Sequence, residues 1–377
     1  MRRATRQKGS QRVALYPPGD LIAEELEARG WSQEDLARIT GRPLATINEI
    51  IKGKKSITPE TALDLAEAFG TSPELWLGLE GDYRLARAAA VRQGGGVKQR
   101  SRIYSLVPLR ELQRRRDLSD TSDLRVIEGE VCGLLRIQTL EQEPDLLAMG
   151  VAARKSGGFE GVYTAAQVTW LFLARRRAET MEVSDFRPSR FVREVAELPK
   201  LSANEKGWKN VKSRLADWGI RLVLEEHLSG SKIDGALFWL SKDSPVIALS
   251  LRYDRVDHFW FTLMHELGHL HAALKGKQKG HVDANLVGPQ AQNASSKPPE
   301  EREADRLASE WLIPQTDFNK FVRQVRGSFP GREPIIEFAM RIGLHPGIVV
   351  GRLQYEQLIS YSQYRDLLLK VRNILLR

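Results

Sequence analysis

Asp257-His258-Phe259-Trp260-Phe261-Thr262-Leu263-Met264-His265-Glu266-Leu267-Gly268-His269-Leu270 reads as a helix with one polar arc. At about 100° per residue, His265 and His269 fall about 40° apart, and His258, Thr262 and Glu266 lie within about 100° of the same line. Phe259, Trp260, Leu263, Met264, Leu267 and Leu270 cover the rest of the circumference. A helix apolar over so much of its surface is buried. Two histidines and a glutamate inside such a surface would be costly without partners. The His-Glu-x-x-His spacing lets both imidazoles reach one Zn²⁺ at about 2.0–2.1 Å, and sets Glu266 beside them to take a proton from a water. A chance match on a solvated helix fits these flanks poorly. His271 falls off the arc.

A catalytic zinc takes three protein ligands and keeps one position open. Downstream, Glu301-Arg302-Glu303-Ala304-Asp305 opens a helix running to Ile313. With Glu301 at zero on the wheel, Asp305 lies at about 40° and Glu303 at about 200°. Glu301 and Asp305 are then directed inward with Ala304, Ala308 and Leu312, and Glu303 looks outward among arginines. Glu301 is the candidate third ligand. Asp305 and His258 are candidate groups behind or beside the ligands, and Tyr253 is a weaker candidate to stabilise an oxyanion. Upstream, Ile220–Leu224, Gly235–Leu240 and Pro245–Leu251 are short apolar runs bounded by Gly, Ser, Asp and Pro, which predict a small sheet.

The stretch from Ile247-Ala248-Leu249 through the metal motif to Leu312-Ile313-Pro314, and Gly343–Gln354 in the tail, resembles the ImmA/IrrE metallopeptidase family over about 220–360. The pattern Glu-x-x-Ala-Asp after His-Glu-x-x-His is similar to the glutamate-zincin arrangement. The resemblance implies a cytoplasmic zinc endopeptidase that cleaves repressor proteins in stress responses or mobile-element control. It also implies one Zn²⁺ per chain on His265, His269 and Glu301. Asp305 stands where the family often has Asn; both can hold a ligand histidine. Ile336–Leu353 reads as helix, turn, helix, but its second helix is apolar and predicts a packing element rather than a nucleic-acid reader.

Near the N-terminus, Trp31-Ser32-Gln33-Glu34-Asp35-Leu36-Ala37-Arg38-Ile39-Thr40-Gly41 has a capping residue at its start, Asp35 at the third helical position, and a glycine stop. A second helix follows from Pro43 to Ile51, and a third from Pro59 to Phe69. Leu36, Ala37, Ile47 and Ile50 fill the seam. Thr46 and Asn48 are expected to project outward, where Asn suits adenine and Thr a thymine methyl or a phosphate. Gln33 is a further candidate contact, and Lys52, Lys54 and Lys55 are placed to neutralise phosphates. Residues 19–88 resemble HigA-type antitoxins, Xre-like helix-turn-helix repressors, through Gly53–Ala62 and Trp76-Leu77. The resemblance implies binding of double-stranded DNA, usually as a homodimer through this domain. The recognition helix departs from the family in opening on Pro43-Leu44-Ala45.

The chain of 377 residues has a formal net charge of +9, which suits a polyanionic partner, and one cysteine, which excludes an internal disulfide. No apolar stretch is long enough for a membrane span, and no apolar segment follows the basic N-terminus. These features predict a cytoplasmic protein with no membrane partner. The expected organisation is a basic disordered arm over 1–18, a helix-turn-helix domain of five helices over 19–88, and a flexible basic linker over 89–104. A helical region over 105–218, a metallopeptidase core over 219–314 and a helical C-terminal region over 315–377 follow. The fold class is mainly α with a small β-sheet, the second domain being α+β and zincin-like. The preferred reading is a transcriptional regulator with a zinc endopeptidase domain acting on a repressor-like protein. The alternative is a non-catalytic repressor or antitoxin with a structural or sensing zinc domain; Glu266 argues against it, because a structural site needs no base.

Overall fold

The computed structural model describes residues 16–91, 96–151, 163–276, 281–284, 297–325 and 330–375. The chain divides into two units, Met1–Gly95 and Gly96–Arg377. The expected arm over 1–18 lies outside the described residues up to residue 15, and Pro18 already opens a helix.

The first unit is five helices: α1 (Pro18–Arg29), α2 (Gln33–Thr40), α3 (Leu44–Ile51), α4 (Pro59–Phe69) and α5 (Pro73–Val91). Ser32 Oγ accepts from the Asp35 amide and Asp35 Oδ2 accepts from the Ser32 amide, at 3.1 and 2.8 Å, which satisfies two free donors at the start of α2. Gly41 ends α2 at φ 68°. Leu36, Ala37, Ile47 and Ile50 are buried in the seam, with Trp76 and Phe69 behind them.

The second unit begins with α6 (Gly96–Leu106), α7 (Leu109–Arg115), α8 (Leu124–Leu135) and α9 (Ala165–Glu179). Two short helices follow, α10 (Pro188–Glu194) and, past a 3-10 stretch, α11 (Glu205–Lys209), then α12 (Val211–Asp217). The strands are β1 (Arg221–Leu224), β2 (Ile233–Trp239) and β3 (Pro245–Leu249); the long helix α13 (Val256–Leu274) and β4 (His281–Ala284) come next. The unit closes with α14 (Pro299–Leu312), α15 (Gln315–Gln324), α16 (Arg332–Ile342), α17 (Pro346–Tyr355) and α18 (Arg372–Leu375). Among the described residues no helix is long and apolar enough to cross a membrane.

The linker over 89–104 is helical at both ends, because α5 runs through Val91 and α6 starts at Gly96 with Ile103 fully buried; residues 92–95 lie outside the described residues. The helices before residue 219 share a core with the strands after it, and the sheet explains why. Its order is β1-β3-β2-β4, with β1 and β3 parallel and the other pairs antiparallel. Leu222, Leu224, Leu237, Ile247 and Leu249 face α13 in one core. Val223, Ala236, Phe238, Val246 and Ala248 face the other way, into a core filled from α6 to α9 by Ile103, Val131, Trp170 and Leu173. A sheet covered on both faces reads as unbroken apolar runs, and the helices before residue 219 supply one of its two covers. Glu225, just after β1, is buried and joined to Arg115 of α7 at 2.5 Å and to Arg177 of α9, which ties that cover to the strand end.

The tail braces α13. Gly347 and Gly351 on α17 let it approach the start of α13; a Cβ on Gly347 would lie 2.6 Å from Val256 Cγ1, and one on Gly351 2.9 Å from Asp257 Cγ. Ile348, Val349, Val350 and Leu353 are buried, so this helix pair packs rather than presenting a reading surface. Asp254 Oδ1 accepts from the Val371 and Arg372 amides, both at 2.8 Å, and the Val256 amide donates to Leu369 O at 2.9 Å.

Candidate metal centre and nucleic-acid interface

In α13, His265, Glu266 and His269 are fully buried. Gly268 lets α14 cross close by, since a Cβ there would stand 3.1 Å from Ala304 Cα. That crossing delivers Glu301, from the first turn of α14, to the two histidines. His265 Nε2 and His269 Nε2 are 2.9 Å apart, and the Glu301 carboxylate oxygens lie 3.4 and 3.6 Å from them. Three tetrahedral ligands at about 2.0–2.1 Å from one ion stand roughly 3.3 Å from each other, so this donor set fits a zinc-sized cation. Glu303 points away and pairs with Arg306 at 2.8 Å on the exposed side.

Behind His265, Asp305 Oδ1 lies 2.9 Å from Nδ1, and Asp305 Oδ2 accepts from Lys297 Nζ at 2.7 Å. Burial raises the Asp305 carboxyl, but the His265 ring and the Lys297 ammonium outweigh it and hold the group below the usual carboxylate range. The reading of the sequence missed Lys297; its one visible sign is Pro298-Pro299 after it, which sets the backbone before α14.

Glu266 rests in a notch cut by Gly235. A Cβ on that glycine would lie 2.9 Å from Glu266 Cδ and 3.0 Å from Cγ. The β2–β4 register shifts between Ile233 and Gly235, so the strand is irregular where the notch is needed. Next to the notch a small pocket is lined by Asp234, Ser250, Tyr253, His258 and Thr262. His258 is therefore a wall of this pocket, two turns before the ligands, and is not part of the donor cluster. Burial pushes its pKa down, and Tyr253 meets it edge-on at 5.3 Å. His271 packs edge-on against Trp311, and His345 caps α17 by accepting from the Gly347 amide at 3.0 Å.

In the first unit, Lys52, Lys54 and Lys55 are exposed after α3. Asn48 and Thr46 differ from expectation. Both are half-buried; Asn48 Nδ2 donates to Gln33 Oε1 at 3.1 Å, and Lys55 Nζ reaches Thr46 Oγ1 at 3.5 Å. The outward positions at the start of α3 are Leu44 and Ala45. Asn48 sits at the α2–α3 crossing, where its amide finds a partner more readily than water does.

Residues 22–76 match the family model described as helix-turn-helix, and residues 219–329 that described as IrrE N-terminal-like domain. The uncharacterized HTH-type transcriptional regulator YddM of Escherichia coli (strain K12) is 36% identical over 78 residues, 20% of this chain and 83% of its own length. The virulence-associated protein I of Dichelobacter nodosus is 33% identical over 86 residues, 22% of this chain and 80% of its own. Among solved structures, an addiction module antidote protein of a HigA family from Coxiella burnetii is 40% identical, covering 19% of this chain and 80% of that one, with a TM-score of 0.19. PA4674 from Pseudomonas aeruginosa, solved in complex with its operator DNA, is 32% identical, covering 20% and 80%, with a TM-score of 0.20.

Proposed function

We propose that this chain, which belongs to the helix-turn-helix regulators through its N-terminal unit and carries an IrrE N-terminal-like domain in its second, is a DNA-binding zinc endopeptidase. Its substrate in this reading is a repressor-like protein. The observation that carries it is the convergence of His265, His269 and Glu301 in the core with Glu266 one residue along the same helix. Zinc bound there would polarise a peptide carbonyl and acidify a water. Glu266 takes the proton from the attacking water on its carboxylate and passes it to the amide nitrogen as the C–N bond breaks. Asp305 holds His265 by Nδ1, so that Nε2 keeps its lone pair for the ion. The test is to incubate the purified chain with candidate repressors after chelation and after zinc is restored. Cleavage only with the metal supports the reading, and intact repressors in every arm overturn it.

The ligand assignment predicts an order. Glu301→Ala should lose zinc affinity most, Asp305→Ala by about 10–100-fold, and Glu303→Ala hardly at all. Isothermal titration with zinc reads this directly, and a reversed order for Glu301 and Glu303 would move the assignment to the other carboxylate.

For the first unit the reading is attachment to duplex DNA through Lys52, Lys54 and Lys55, with Gln33, Thr46 and Asn48 as base contacts and two copies paired through this unit. Lys54→Ala should weaken all duplexes alike and flatten the salt dependence by about one unit of slope. Asn48→Ala should chiefly lose discrimination between sequences. Fluorescence anisotropy across a salt series measures both, and a chain that binds no duplex at low salt would leave this unit a docking module.

A further inference from the structure

We infer that Lys297 is a positioning residue for the metal centre: its ammonium fixes the Asp305 carboxylate so that the other oxygen holds His265 with Nε2 turned toward the ion. This rests on the zinc reading of His265, His269 and Glu301.

The side chains of Lys297, Asp305 and His265 are 7%, 15% and 0% exposed, and they form one line, Nζ to Oδ2 at 2.7 Å and Oδ1 to Nδ1 at 2.9 Å. Removing a lysine from water is costly unless a partner compensates. Among the described residues, the carboxylate paired with Lys297 is Asp305. That carboxylate already serves the histidine. A pairing at this position therefore constrains the ligand more than it stabilises the fold, since an apolar residue of similar size could fill the same space at lower cost.

The backbone is held to suit. Pro298 follows Lys297 and disfavours the helical region there, and Arg302 Nη1 donates to Lys297 O at 2.9 Å, tying it to the first turn of α14. The ammonium thus emerges from a set point. The outer torsion of an aspartate has a broad minimum. With one oxygen held by an ammonium, the plane of the carboxylate is set and Oδ1 faces Nδ1. With that oxygen released, the plane can turn and the hydrogen bond that fixes the histidine tautomer is lost for part of the time.

The test measures zinc affinity of the full chain by competition with a chromophoric chelator, with the melting temperature of the metal-free chain alongside. Lys297→Met should weaken zinc binding by about tenfold, at the lower end of losses for groups that orient a ligand. Lys297→Arg, which keeps the charge, should restore affinity to within about threefold. In an Asp305→Asn background, Lys297→Met should cost less than about twofold more, because the route through the carboxylate is already broken. Native affinity in Lys297→Met overturns the inference, as does an equal loss in both backgrounds, which would mark a general structural role. Lys297→Gln carries the same comparison if the methionine variant does not fold. A native chain that binds no zinc would overturn the metal reading itself; a native chain that binds zinc with Lys297→Met unaffected overturns this inference alone.

Discussion

Glu266→Gln should lower peptide cleavage by about 10²–10⁴-fold, the usual worth of a general base, while zinc content and melting temperature stay native. The amide keeps the volume of the carboxylate and so keeps the notch filled, but it cannot accept the proton of the attacking water. A discontinuous assay of a cleaved repressor, with metal analysis on the same samples, decides it. A Gln variant that cleaves at the native rate would remove Glu266 from the chemistry. Gly235→Ala offers a second route to the same loss. Its Cβ would press on Cγ and Cδ of Glu266 at 3.0 and 2.9 Å, and both the strand and α13 are packed on each side. Glu266 must then leave its place, so activity should fall on the order of 10²-fold with zinc still bound. Normal turnover in Gly235→Ala would mean that the glutamate acts from another position.

Zinc content is the second large effect. The native chain should carry one ion, and His265→Ala or His269→Ala should each leave less than about a tenth of an ion per chain after dialysis against a weak chelator. Either change leaves two ligands and an empty space inside the core. Because α13 packs against α14 at the same point, the variants should also melt at lower temperature than the chelated native chain. Mass spectrometry of the metal and a thermal scan separate the two losses. Full occupancy in the double variant would mean that the ion, if present, is bound elsewhere.

The helix α13 was legible because its polar arc interrupts an otherwise apolar surface, a pattern that needs no partner to be read. β1 to β3 were legible for the same reason, as apolar runs between turn residues. β4 was not: His281-Val282-Asp283-Ala284 lies in a polar segment rich in Gly, Asn and Ser, and becomes a strand only by pairing with β2. The helices before residue 219 showed their period but not their destination, since covering the far face of a sheet is a long-range fact. Gly235 and Lys297 carry no period at all, and their meaning appears only when Glu266 and Asp305 are in place beside them. Asn48 was read as outward from its position on α3, and the competing partner, Gln33, stands on a different helix.

The clasp between Asp254 and the amides of Val371 and Arg372 has a consequence for the timing of biogenesis. Residues are made in order, and domains fold largely as they emerge. The core of the first unit, from Ile22 to Trp76, is complete long before residue 371 is translated. The start of α13 receives its clasp only once Val371 and Arg372 have been made. A nascent chain is therefore expected to present a finished helix-turn-helix while the start of α13 is still unbraced.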